Sequence, residues 1–79
     1  MDLREISKTY RKEHHLTQKE FAAQDPEGIF KLSAVANIER SFNYQAGPII
    51  LAGMARAMRI TTPELVTMLE SETHTHTGA

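Results

Sequence analysis

The chain has 79 residues, 41% of them hydrophobic, with no cysteine and a formal net charge of −1. That suffices for one domain with a single modest core, and it excludes disulfides and thiolate metal sites. No apolar run approaches the roughly 20 residues that a membrane-crossing helix requires, and Met1-Asp2-Leu3-Arg4-Glu5 carries no signal-peptide core, so a cytoplasmic protein is expected.

Asp2 with Glu5 is a capping-box pattern, and Leu3, Ile6 and Tyr10 follow at helical spacing. A first helix is predicted from Leu3 to Glu13, with Arg4, Lys8 and Lys12 exposed and His14-His15 at its end. Thr17 with Glu20 is a cleaner capping box, and predicts a second helix from Gln18 to Gln24 with Phe21 and Ala22 inward. Asp25-Pro26-Glu27-Gly28 is a turn cluster, although Asp25-Pro26 can also cap and start a helix. Ile29 and Phe30 are expected to be buried, and a third helix to run from Leu32 to Ser41 with Val35 and Ile38 inward. A polar and aromatic loop follows, to Gly47.

Pro48 suits the first position of a fourth helix running to Met58, whose apolar stripe is Ile50, Leu51, Met54 and Met58. Gly53 inside it is about 1 kcal/mol worse than Ala, which implies a close helix contact there. Thr61 with Glu64, or Thr62 before Pro63, starts a fifth helix that should end near Glu70, with Leu65, Met68 and Leu69 on one face. From Ser71 on, Thr, His and Gly predominate. Residues 1–70 are therefore expected to form the domain and 71–79 a disordered tail. With no alternating strand pattern and no internal repeat, the fold class is all-α with five helices.

Two short helices so close together suggest a helix-turn-helix that presents one helix to DNA. The net charge counts mildly against this, but Lys8, Arg11, Lys12, Lys19, Lys31 and Arg40 gather in the first half, against Arg56 and Arg59 in the second. Of four histidines, His14 and His15 are adjacent and face different ways, while His74 and His76 lie in the tail, so no metal site is expected. Neither a nucleophile elbow nor a Gly-rich phosphate loop occurs. No enzymatic activity, cofactor or small-molecule ligand is expected.

The ordered motifs resemble the Cro and phage-repressor family of helix-turn-helix regulators, also called the xenobiotic-response-element (XRE) family. Tyr10-Arg11-Lys12-Glu13 and Leu16-Thr17-Gln18-Lys19-Glu20-Phe21-Ala22 look like its opening. Val35-Ala36-Asn37-Ile38-Glu39-Arg40-Ser41 looks like its Ile-Ser-x-Ile-Glu-Arg-Gly, and Met54-Ala55-Arg56-Ala57-Met58-Arg59-Ile60-Thr61 with Pro63-Glu64-Leu65 like its closing segment. The chain departs from the pattern in a longer link between the second and third helices, and in His15 and Ser41 where Gly is usual.

The resemblance implies a lambda-repressor-like DNA-binding domain whose third helix enters the major groove, with Lys31, Leu32, Ser33, Ala34, Ala36, Asn37 and Arg40 as base readers. Asn37 suits the adenine edge, Leu32 or Ala34 a thymine methyl, and Lys31 or Arg40 guanine or phosphate. Gln18 and Lys19, with Asn43, Tyr44 and Gln45 in the loop, would hold phosphates, while Phe42 or Tyr44 can equally pack inward. Arg11 and Glu39 would form a structural salt bridge. A homodimer is expected, joined through Leu65, Met68 and Leu69 with Met58 or Ile60, unless these only close the monomer core. The expected function is that of a sequence-specific repressor on an inverted-repeat operator, associated with the nucleoid when bound. The competing reading is a protein-binding module or antitoxin.

Overall fold

The computed structural model describes residues 2–41 and 44–78, with side chains as far as Glu70. Five helices and no strand occur among them: α1 (Leu3–His14), α2 (Gln18–Ala23), α3 (Leu32–Arg40), α4 (Pro48–Met58) and α5 (Thr62–Gly78). None is long and apolar enough to cross a membrane.

Local chemistry sets most of the boundaries. The Glu5 N–H donates to Asp2 Oδ1 at 2.8 Å and opens α1. At α2, the Glu20 N–H donates to Thr17 Oγ1 at 3.1 Å, while the Thr17 N–H donates to Glu20 Oε1 at 2.8 Å. The same reciprocal pair opens α5 between Thr61 and Glu64, at 2.8 and 3.2 Å, so the cap is Thr61 rather than Thr62. Helix α5 runs on past Glu70, where the sequence reading ended it and expected a disordered tail. Pro63 stands in its first turn, and no further Pro or Gly interrupts it before Gly78.

Two helices end on left-handed residues that are not glycine. His15 has φ 55° and Arg59 φ 63°. After each, the next N–H reaches back: Leu16 to the Arg11 carbonyl and Ile60 to the Ala55 carbonyl, both at 2.9 Å. This Schellman closure satisfies terminal carbonyls and sets Leu16 and Ile60 against the core. A side chain in the left-handed region costs about 1–2 kcal/mol, partly offset because glycine stiffens the unfolded chain less. His15→Gly and Arg59→Gly are therefore each expected to stabilise the fold by about 0.5–1 kcal/mol, read as a raised thermal midpoint. An unchanged or lowered midpoint would count against this.

The core joins Leu3 and Ile6 of α1, Phe21 of α2, Val35 and Ile38 of α3, Met54, Ala55 and Ala57 of α4 and Leu65 of α5, with Phe30 from the link. Phe21 and Phe30 meet edge to face, with ring centroids 5.0 Å apart. Ser41 is extended, so α3 stops one residue before the predicted end. Gly53 does have a close neighbour, but it is the link between α2 and α3 rather than the expected helix. A β-carbon there would lie 3.0 Å from Phe30 Cβ and 3.1 Å from Asp25 Oδ2.

Candidate nucleic-acid interface

Helix α3 packs its buried residues Ala34, Val35, Ile38 and Glu39 against α1 and α2. Its open side carries Leu32, Ser33, Ala36, Asn37 and Arg40, a continuous stripe at helical spacing. Leu32 is 46% exposed, Lys31, Ser33 and Arg40 are exposed, and Ala36 and Asn37 are half-buried. The Arg40 guanidinium donates to Asn37 Oδ1, so those two polar groups are held together. Ala34 is a correction: it is buried in the core, because its place one turn before Ile38 puts it on the inner face.

An acidic residue anchors the inner face of this helix. Glu39 is nearly enclosed, its side chain 3% exposed. Arg11 grips both of its oxygens, Nε to Oε2 at 2.8 Å and Nη2 to Oε1 at 2.6 Å. Ser7 Oγ donates to Oε2 at 2.5 Å and Gln18 Nε2 to Oε1 at 3.2 Å. Burial would raise the Glu39 pKa, but the hydrogen bonds from Arg11, Ser7 and Gln18 outweigh it and hold the group below the ordinary glutamate value. One carboxylate thus ties together α1, the start of α2 and the end of α3. Gln18 spends a donor inside the protein, on Glu39, rather than presenting its whole amide outward.

A second carboxylate organises the link between α2 and α3. The Asp25 side chain is fully buried and accepts from the N–H groups of Glu27 and Ile29 at 3.0 Å and of Phe30 at 2.9 Å. Arg56 of α4 adds Nε to Oδ1 at 2.8 Å and Nη2 to Oδ2 at 3.3 Å. The Arg56 hydrogen bonds, against the penalty of burial and with help from the three amides, hold Asp25 far below the ordinary aspartate value. Gly28 supplies the left-handed residue, φ 69°, that lets the link fold round this carboxylate.

The remaining sequence-predicted positions are scattered. Lys19 and Gln45 are exposed, Tyr44 is half-buried against the core, and Asn43 lies outside the described residues. Leu65 and Met58 are corrections to the expected dimer face: both are buried within the monomer, where Leu65 caps the core below α4. Ile60, Met68 and Leu69 pack partly buried against that core. Ile49, 66% exposed in the first turn of α4, is a large apolar surface residue that the predicted face did not include. No cluster of three His, Asp or Glu suited to a metal occurs among the described residues.

The sequence reading also missed Ser7, Asp25 and Gln24 as tertiary hydrogen-bonding residues. Ser7 did leave a signal, being a polar residue inside the Leu3, Ile6, Tyr10 stripe. Gln24 Nε2 donates to the Ala57 carbonyl at 3.0 Å, across to a distant helix that no local pattern reveals. Compared with known protein families, curated proteins and solved structures, the chain matches none.

Proposed function

We propose that this protein is a non-enzymatic, cofactor-independent regulator that binds double-stranded DNA in a sequence-specific way through a helix-turn-helix made of α2 and α3. The observation that carries the reading is the open stripe on α3, backed by the Glu39 network that fixes this helix to both its neighbours. A base-reading helix needs one solvent-facing row of varied hydrogen-bonding and methyl groups on a rigid support. Ser33, Asn37 and Arg40 supply the first, and Leu32 and Ala36 the second. One such helix covers few bases, so a homodimer acting as a repressor would read two half-sites one helical turn, roughly 34 Å, apart. Such a protein works in the cytoplasm, on the nucleoid when bound.

Two variants test the reading on DNA selected from a random pool or taken from upstream of the coding sequence. Asn37→Ala is expected to lose about 1–3 kcal/mol of affinity on the preferred sequence, relaxing preference at one base pair. Lys19→Ala should weaken binding almost equally on all sequences and reduce the slope of log affinity against log salt by about one. Wild-type affinity that is absent, or flat with salt, rejects DNA binding. That result would favour the second reading, a protein-binding module or antitoxin, to which the net charge of −1 and the exposed Leu32 and Ile49 are suited.

A further inference from the structure

We propose that Arg56 and Asp25 are positioning residues for base reading: a clamp from α4 through the link sets where α3 begins, and with it which side chains reach the bases. This rests on the DNA-binding reading above and extends it to a helix outside the helix-turn-helix. Helix α3 has no side chain capping its start, because Lys31 in the cap position makes no such hydrogen bond. Its first turn is therefore not fixed by the local device that opens α1, α2 and α5. What lies immediately before it is fixed instead. Asp25 Oδ2 holds the N–H groups of Ile29 and Phe30, three and two residues ahead of Leu32.

The clamp has little slack. Arg56 engages both oxygens of Asp25, and its Nε also lies 3.7 Å from Glu27 of the same link. Gly53, one turn before Arg56 on α4, brings the helix backbone directly against Phe30 and the carboxylate. Phe30 itself is buried against Phe21 of α2. The link therefore cannot shift along α3 without breaking the carboxylate's hydrogen bonds or pulling Phe30 from the core. Leu32 and Ser33 sit directly downstream of this anchor. Asn37 and Arg40 lie beyond it, beside the separate anchor at Glu39. Loosening the clamp should consequently blur the bases read by the start of α3 more than those read by its end.

The test compares wild type, Arg56→Gln and Arg56→Lys by selecting preferred DNA for each and measuring affinity for single-base variants. Arg56→Lys keeps a charge beside Asp25 but loses the two-point grip, and carries the test if Arg56→Gln does not fold. The expected result is about a tenfold loss of discrimination at the base pairs sensitive to Ser33→Ala or Leu32→Ala, with discrimination at those sensitive to Asn37→Ala retained. A loss of discrimination that is equal at all positions overturns the proposal, as does unchanged discrimination, which is what simple destabilisation gives because it weakens binding to every sequence alike. Amide exchange in the free protein separates this from failure of DNA binding itself. With no DNA bound by any form, the clamp still stands if the hydrogen-bonded Ile29, Phe30, Ala34 and Val35 amides exchange at least tenfold faster in Arg56→Lys while those of α1 and α5 do not. It falls if they exchange as in wild type.

Discussion

Asp25→Ala is expected to lower the unfolding free energy by about 3–5 kcal/mol, the largest effect of any single substitution proposed for this chain. The side chain is fully buried, and five donors converge on its two oxygens. Alanine removes every acceptor at once. The Phe30 N–H is buried and would be left without a partner, and the Glu27 and Ile29 amides would be left to whatever water can enter. Each unsatisfied buried donor costs about 1–3 kcal/mol. A domain of this length has about 4–12 kcal/mol of stability, so the variant should sit near its unfolding threshold at 37 °C. Asp25→Asn separates shape from charge: one amide oxygen can still serve Ile29 and Phe30, while the other position now presents donors to Arg56. The expected order in urea unfolding is wild type, then Asp25→Asn, then Asp25→Ala, and a loss below about 1 kcal/mol for Asp25→Ala would show that the link is not held by its carboxylate.

This residue also marks where sequence stops being legible. Helix starts could be read because Asp2 with Glu5, Thr17 with Glu20, and Thr61 with Glu64 find their partners three residues away. The inward positions of Phe21, Val35, Ile38 and Met54 could be read because helical periodicity is local too. Asp25 looked like an ordinary turn residue ahead of a proline, and its decisive partner lies 31 residues on in another helix. The resemblance overreached at Ala34, which helical spacing itself places inward with Ile38, and at Leu65 and Met58, which are buried in the monomer core. The site residues divide along the same line. The outward stripe on α3 follows from spacing alone, whereas the placing of that stripe depends on Asp25, Gly53 and Arg56, which only the packed molecule brings together.

Arg11→Met is expected to cost about 3 kcal/mol at neutral pH, near the low end for a broken buried pair because the Arg11 side chain still reaches solvent while Glu39 does not. Its signature lies in the pH dependence. In the wild type the folded pKa of Glu39 is below its unfolded value, so the stability it contributes is fully present above about pH 5 and is lost as pH falls through the folded pKa. In Arg11→Met the burial penalty is opposed only by Ser7 and Gln18, and the folded pKa is expected to rise above the unfolded one. The sign then reverses for this group: the folded state binds the proton more tightly, and Glu39 adds stability as pH falls. Asp25, Glu20 and Glu64, which are also held below their ordinary values, titrate in both proteins and cancel in the difference. Urea unfolding at pH 7 and at pH 4 should therefore show the deficit of Arg11→Met shrinking on acidification. Adding Glu39→Gln to Arg11→Met removes the stranded charge, and should restore more of the stability than it removes when made alone and flatten the pH response. A deficit that stays constant between the two pH values would mean that Glu39 carries no buried charge, and that the tie between α1 and α3 rests on packing instead.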